Sequence, residues 1–189
     1  MTRFPLYLAS LASANNLGEG IQWLFYPGML ADSKSKWWAD FGHRHASHEG
    51  IDLCFYQRSD GTIRHIETGA AVPAWSNGTV LHICEDFLGH TLVVEPDKKI
   101  AGPTRILEVF SHLDPDKSMA PCTRVKAGQI IARTSDIMGN SGTQAQKPVL
   151  LPHLHLSCIE VPAHTPVTSL NWTLFCLREK VNVLNPVFM

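Results

Sequence analysis

The stretch Pro152-His153-Leu154-His155-Leu156-Ser157 alternates imidazole and leucine side chains. Successive side chains of an extended strand point to opposite faces, so His153 and His155 share one face while the two leucines share the other. This pattern predicts a strand whose leucines enter a core and whose histidines line a groove. Taken alone, two histidines on one strand face fit solvated or hydrogen-bonded side chains as well as metal ligands.

The pattern of short strands continues through most of the chain. From about residue 50 onward, short apolar or alternating runs are separated by turn dipeptides, which indicates a mainly β fold. Turn sequences predict two hairpins, one joining 51–56 to 62–66 and one joining 70–75 to 79–84. Residues 168–180 fit either a helix or a strand. The further predicted strands are 90–95, 105–112, 129–133 and 153–161.

Length and composition predict one main domain. The 189 residues are 44% hydrophobic and 17% charged, as in globular proteins. Residues 1–40 are rich in aromatic side chains without clean periodicity, so we interpret them as an N-terminal extension packed on a core formed by 41–189. Residues 1–14 fit a secretory signal and an ordinary N-terminal segment equally well. No apolar run approaches the roughly 20 residues of a membrane-spanning helix.

The charge of the chain bears on its partners, and its cysteine content bears on disulfide bonds and metal sites. The net charge is −1, from 16 basic and 17 acidic residues, with no basic block that would attract nucleic acid or an anionic membrane. The five cysteines are odd in number and contain no Cys-x-x-Cys pair, which argues against a disulfide framework and a thiolate zinc site. We expect them to be buried small hydrophobic residues.

A second histidine motif, His48-Glu49-Gly50-Ile51-Asp52, leads into an apolar strand. In extended chain His48 and Asp52 share a face, and Gly50 between them would leave space for an ion. Together with the histidine pair at 153 and 155, this motif favours a metal site. A His-Glu-x-x-His zinc helix is excluded because position 52 is Asp and Gly50 weakens a helix. Glu49 is therefore expected to be solvated on the far face.

An ordered series of further motifs accompanies these histidines between residues 42 and 161. They are Gly69-Ala70-Ala71-Val72-Pro73-Ala74, Asn77-Gly78-x-Val80, Gly89 before 91–94, Phe110-Ser111-His112-Leu113, Val125-Lys126-Ala127-Gly128-Gln129-Ile130 and Gly139-Asn140-Ser141-Gly142. In order and character, the whole series resembles the lysostaphin-type, or LytM-like, family of zinc metallopeptidases.

The resemblance implies an antiparallel, sandwich-like β-sheet with a groove. It implies that His48, Asp52 and His155 hold one zinc ion, and that His112 and His153 are catalytic, one accepting the proton of a water and the other stabilising the developing charge. Which histidine does which stays open. The implied activity is hydrolysis of peptide bonds in peptidoglycan cross-links, and the implied location is the cell envelope, periplasmic or secreted.

Three departures from the family pattern bear on substrate choice. The connection from 52 to 69 is long, 141–152 contains an insertion with Lys147-Pro148, and Ala132 and Ser135 replace expected glycines. Two other functions compete with the enzyme. One is a catalytically silent relative that binds peptidoglycan or activates another cell-wall hydrolase, and the other is a metal-binding structural domain. The retention of all five site residues favours the enzyme.

The remaining histidines and two tryptophans carry weaker expectations. The pair at His43 and His45 is expected to be solvated. Trp37 and Trp38 fit either packing or a substrate platform. Four histidines without an evident partner are expected to be ordinary strand or loop residues, namely His65, His82, His90 and His164.

Overall fold

Antiparallel strands dominate the chain in a computed structural model that describes residues 3–99, 102–136 and 150–189. The strands are β1 (Gln22–Leu24), β2 (Ile51–Leu53), β3 (Phe55–Gln57), β4 (Ile63–His65), β5 (Ala71–Pro73), β6 (Gly78–Asp86), β7 (Gly89–Pro96), β8 (Thr104–Pro115), β9 (Arg124–Val125), β10 (Ile130–Thr134), β11 (Leu154–Pro162) and β12 (Asn182–Leu184). The helices are α1 (Phe4–Ala14) and α2 (Trp172–Phe175), with 3₁₀ turns at Pro27–Met29, Val167–Ser169 and Pro186–Phe188.

The main sheet has the order β12-β11-β8-β7-β6-β9, with every pairing antiparallel. Strand β2 also pairs with β11, and β10 joins β5 to β8. The predicted mainly β, antiparallel fold is confirmed. Strand β11 lies between β8 and the two short strands β2 and β12, so His155 near its start is paired with a strand on each side.

Both faces of β11 contribute to cores, whereas the alternation predicts one core face. Leu154 and Leu156 are fully buried in the main core together with α1. Ile159 and Val161 lie on the opposite face, where they pack with Phe175 of α2 and its neighbours. The C-terminal segment therefore covers only the far part of that face. The part nearer the start of β11, which carries the histidines, borders a groove.

Residues 3–40 pack on the β core through a helix and a strand. Helix α1 buries Phe4, Tyr7 and Leu11 in the main core. Strand β1 pairs with β3, and β3 pairs with β4. The predicted hairpin of 51–56 with 62–66 is therefore confirmed for the residues nearest its turn, where Phe55 pairs with His65 and Tyr56 with Arg64. The long connection after Asp52 is this hairpin. The division of the chain at residue 40 stays a prediction.

The second predicted hairpin is wrong. Strand β5 pairs with β10 and not with β6, which pairs with β7 and β9. The sequence Ser76-Asn77-Gly78 therefore connects two strands that pair with different neighbours. Asn77 accepts hydrogen bonds from distant residues, namely from Asp97 N through its carbonyl and from Ala127 N through its side chain, both at 2.9 Å. These long-range contacts outweigh the local turn preference of the sequence.

Several smaller expectations have mixed outcomes. All five cysteines are free thiols; Cys54 and Cys158 are buried as predicted, whereas Cys122 and Cys176 are exposed and Cys84 is half-buried. Residues 168–180 form a 3₁₀ turn and the short α2. Within the described ranges, no helix is long and apolar enough to cross a membrane. The motif 139–142 and the pair Lys147-Pro148 lie outside the described residues.

Candidate metal and catalytic site

The three predicted metal ligands converge on one point at the start of β11. Asp52 lies directly opposite His155 in the β2–β11 pairing, and His48 lies three residues before the start of β2. His48 Nε2 is 3.1 Å from Asp52 Oδ1 and 3.0 Å from His155 Nδ1, and Asp52 Oδ1 is 2.9 Å from His155 Nδ1. All three side chains are buried. The described residues thus contain one compact His-Asp-His cluster.

The geometry of this cluster fits a zinc ion. Zinc–nitrogen and zinc–oxygen distances of about 2.0–2.1 Å in a tetrahedron place neighbouring ligand atoms roughly 3.3 Å apart, close to the observed separations. The second nitrogen of each histidine is also engaged, since His48 Nδ1 donates to Leu30 O at 3.0 Å and His155 Nε2 lies 2.8 Å from Ser157 Oγ. Such outer contacts orient the imidazoles of metal sites.

Asp52 is further held by Trp37 of the N-terminal segment and by Arg44. Trp37 Nε1 donates to Asp52 Oδ2 at 2.6 Å, and Arg44 Nη2 lies 3.6 Å from the same oxygen. Burial alone would raise the pKa of Asp52, but its contacts with His48 and His155 lower it well below its usual value. The carboxylate is therefore ionised, with Oδ1 left to the cluster. Sequence patterns do not identify the role of Trp37 because this contact spans fifteen residues.

Gly50 serves a different purpose from the one expected. A Cβ atom at this position would lie 2.3 Å from Leu156 O, 2.5 Å from Ser157 Oγ and 2.9 Å from His155 Nε2. The glycine therefore allows the backbone to approach β11 closely, and the prediction that it leaves space for an ion is wrong. The close approach itself brings His48 to His155.

Glu49 is also placed differently from the expectation. It is half-buried and lines the groove beside Asp52 and Cys176, whereas strand alternation predicts a solvated position on the far face. The prediction fails because strand β2 begins only at Ile51, so residues 48–50 do not follow strand alternation.

His112 reaches the groove through a β-bulge. In the β7–β8 pairing, Leu92 is opposite Phe110 and His90 is opposite Leu113, so Ser111 and His112 together oppose Thr91. His112 has a φ of +66°, a conformation that is uncommon for residues other than glycine. Regular alternation would place His112 with Phe110 in the core. The bulge instead brings its ring to 5.0 Å from that of His153 and 5.7 Å from that of His155.

Asp86, at the end of β6, holds His112. Asp86 Oδ1 is 3.2 Å from His112 Nδ1, and Asp86 Oδ2 accepts the backbone N–H of His112 at 3.0 Å. Burial opposes ionisation of Asp86, but the hydrogen bonds from His112 lower the pKa of the carboxyl well below its usual value. Burial lowers the pKa of His112, and the hydrogen bond to Asp86 opposes that shift. Sequence analysis missed Asp86 because twenty-six residues separate it from His112.

His153 lies between the metal cluster and His112. Its Nδ1 donates to Leu151 O at 2.8 Å, and its Nε2 is 3.9 Å from Asp52 Oδ1. Its ring contacts the Trp37 ring edge-on, with centroids 5.1 Å apart. Burial lowers the pKa of His153 to about 4. His153 is thus a neutral imidazole, and because Nδ1 carries the proton its Nε2 presents a lone pair.

A groove of about 160 Å³ opens above these residues. Trp38, Phe87 and Trp172 supply aromatic walls, and Arg44 stacks over Trp38 at 4.3 Å. Trp37 thus serves packing and hydrogen bonding, while Trp38 faces the groove. His43, His45 and His164 are exposed outside the groove, and His65, His82 and His90 are half-buried outside its lining, as expected.

Comparison with known proteins shows a likeness of fold. No family model and no curated protein matches the sequence. The NMR solution structure of lysostaphin is 17% identical, with 75% of this chain and 50% of that one covered and a TM-score of 0.43. LytU is 20% identical, with 87% and 99% covered and a TM-score of 0.44. A catalytic domain of the prophage-encoded M23 protein EnpA from Enterococcus faecalis is 17% identical, with 87% and 93% covered and a TM-score of 0.44.

The chain spans about half the length of lysostaphin. These likenesses, each at 20% identity or less, concern the fold alone. The chemistry of the site therefore rests on its own residues.

Proposed function

We propose that this chain is a zinc-dependent endopeptidase that hydrolyses peptide bonds in peptidoglycan cross-links. The observation that carries the proposal is the convergence of His48 Nε2, Asp52 Oδ1 and His155 Nδ1, each about 3 Å from the others, beside a groove that is lined by His112 and His153. Three nitrogen and oxygen ligands leave one tetrahedral position open, as in catalytic rather than structural zinc sites.

The metal, His112 and His153 have different roles in the proposed hydrolysis. His48, Asp52 and His155 would hold the zinc ion, which when bound would supply Lewis acidity to lower the pKa of a water to about 7 and to polarise the scissile carbonyl. His153 Nε2, 3.9 Å from Asp52 Oδ1, is placed to accept a hydrogen bond from the attacking water and orient it. His112 has an ionised carboxylate behind its ring, so it is the histidine better able to hold the proton that the water releases.

The substrate class rests on the sequence resemblance together with the shape of the groove. Aromatic walls on both sides, from Trp38 and from Phe87 with Trp172, suit an extended peptide that is held by apolar contacts above the metal cluster. The cell envelope, periplasmic or secreted, follows as the location because peptidoglycan lies there.

Metal analysis followed by a peptidoglycan release assay tests this function. Purified wild-type protein is expected to contain one zinc per chain and to release peptide fragments from cell walls. His112→Ala and His153→Ala should retain the metal and lose at least about 100-fold in rate, since a general acid or base contributes about 10²–10⁴-fold. His164→Ala, an exposed histidine outside the groove, is the matched control.

Two outcomes would replace the enzyme with another function. Wild-type protein that binds zinc and sediments with cell walls, but never releases fragments, would identify the catalytically silent binder. Protein that binds zinc but neither cleaves nor binds cell walls would identify the chain as a metal-binding structural domain.

A further inference from the structure

We propose that Asp86 is the positioning residue for His112. It fixes the tautomer of the imidazole, so that Nδ1 carries the proton and Nε2 presents a lone pair to the groove. This inference rests on the proposed function for its catalytic consequence, whereas the hydrogen-bond arrangement can be tested without activity. The pairing of a buried carboxylate with a catalytic imidazole follows the general logic by which an aspartate holds a histidine base.

The surroundings of Asp86 require a carboxylate at this position. Oδ1 accepts from Leu88 N at 2.8 Å and lies 3.2 Å from His112 Nδ1, while Oδ2 accepts from His112 N at 3.0 Å and from Thr91 Oγ1 at 2.8 Å. Two of these four groups are backbone N–H donors, one bound to each oxygen. Because an ionised carboxylate only accepts, the imidazole nitrogen that faces it must carry a proton.

The same contacts hold the unusual backbone of His112. A left-handed conformation at a residue other than glycine is unfavourable and persists only where the surroundings enforce it. Asp86 binds the amide of His112, and Ser135 N donates to the His112 carbonyl at 3.1 Å, with Ser135 Oγ 2.9 Å from the same oxygen. The backbone N–H and the carbonyl of His112 are therefore both hydrogen-bonded to neighbouring segments. Ser135, which replaces an expected family glycine, contributes one of these ties.

A polar chain links Asp86 to the metal side of the groove. Trp172 Nε1 donates to Thr91 Oγ1 at 2.9 Å, and Thr91 is bound to Asp86 as described. The Trp172 ring in turn packs against the ring of His155, with centroids 5.3 Å apart. Phe87, next to Asp86, covers the His112 ring from the solvent side at 4.9 Å. The β6–β7 turn thus positions both the ring and the groove wall above it.

The consequence for hydrolysis is a defined proton path. The attacking water gives a proton to His112 Nε2 as its oxygen bonds to the scissile carbon. When the carbon–nitrogen bond breaks, the same proton passes from His112 to the leaving amine. Asp86 stays ionised throughout and stabilises the imidazolium between the two transfers.

Nitrogen-15 NMR of the imidazole groups in zinc-loaded protein tests the arrangement directly. The His112 signals are assigned by their absence in His112→Gln. In wild-type protein near pH 7.5 we expect a protonated Nδ1 and an unprotonated Nε2. In Asp86→Asn, the donor NH₂ of the new amide must face another donor, either a backbone N–H or the imidazole Nδ1–H. The population of the Nδ1-protonated tautomer should therefore fall. Asp60→Asn, in an exposed turn, is the control that should leave the His112 signals unchanged.

Kinetics provide the second readout. Asp86→Asn should lower kcat by roughly 10²–10⁴-fold, with KM and zinc content close to wild type, because the change affects proton transfer and not binding. An unprotonated His112 Nδ1 in wild-type protein would overturn the proposal without any variant. Wild-type kcat and tautomer in Asp86→Asn would also overturn it. If wild-type protein shows the expected tautomer but no hydrolysis, the proposed function fails while the positioning by Asp86 stands.

Discussion

The indole N–H of Trp37 donates a 2.6 Å hydrogen bond to Asp52 Oδ2, the carboxylate oxygen that faces away from the His-Asp-His cluster. Trp37 is 5% exposed, and its ring also contacts those of His153 and Phe55. A residue of the N-terminal segment therefore orients a candidate metal ligand and packs against a candidate catalytic histidine. This relationship leads to the first of four predictions.

Trp37→Phe should weaken zinc binding while retaining the fold. Phenylalanine keeps an aromatic ring against His153 but cannot donate to Asp52, and loss of such an outer contact costs about 10–100-fold in metal affinity. Competition with a chromophoric chelator measures the zinc dissociation constant. Trp38→Phe, which changes the adjacent groove-wall tryptophan, should leave that constant close to wild type. Equal zinc affinity in both variants and wild type would contradict the role assigned to Trp37.

Gly50→Ala should destabilise the protein and disturb the metal site together. The added methyl group would overlap Leu156 O and Ser157 Oγ, so β2 and β11 must separate, at a cost of about 1–3 kcal/mol. Urea unfolding of the zinc-loaded protein measures this loss. Gly42→Ala is the matched control, since the new methyl group there meets only the side chain of exposed Asp40. A stable Gly50→Ala variant with normal zinc affinity would show that the close approach is not required.

Asp52→Ala and Glu49→Gln separate a metal ligand from a neighbouring groove residue. Asp52→Ala removes one of three ligands and should abolish zinc binding at micromolar metal. Glu49→Gln should keep the zinc and most of the activity, because Glu49 lies outside the cluster of ligand atoms. Metal analysis with the peptidoglycan assay checks both variants. Loss of activity in Glu49→Gln with zinc retained would identify Glu49 as the base in place of His112.

Glu108→Gln should stabilise the protein at alkaline pH more than at acidic pH. Burial raises the pKa of Glu108 to about 7, and its Oε2 atom has no hydrogen-bond partner among the described residues. A raised carboxyl pKa stabilises the native state below the unfolded-state pKa, near 4.5, and this contribution is lost as the pH rises through 7. Glutamine cannot ionise, so the variant should avoid that loss.

The expected gain of Glu108→Gln relative to wild type between pH 5 and pH 8 is up to about 3 kcal/mol. Urea unfolding at both pH values measures it. Glu19→Gln, at an exposed position, should give no pH-dependent difference from wild type. A difference between wild type and Glu108→Gln that stays constant across this range would contradict the buried, shifted acid.

Some of these features were evident in the sequence because they depend on local spacing. The alternation of His153 and His155 with leucines predicted a strand whose leucines enter a core, and Leu154 and Leu156 of β11 are buried there. The approach of His48 to Asp52 was also expected, although residues 48–50 precede β2 and do not follow the strand alternation on which that expectation rested. Strand periodicity and two-residue spacing are local properties of the chain, so they can be read without tertiary structure.

Other features were decided only by tertiary structure. The bulge that turns His112 into the groove breaks the side-chain alternation of β8, and the residues next to His112 do not predict a bulge. Asp86 and Trp37 reach their partners across chain separations that no spacing rule covers. The identity of the candidate ligands was thus determined by the sequence itself. The orientation of those ligands, and of the proton-transferring histidine, is set by hydrogen bonds that form only when distant strands and the N-terminal segment pack together.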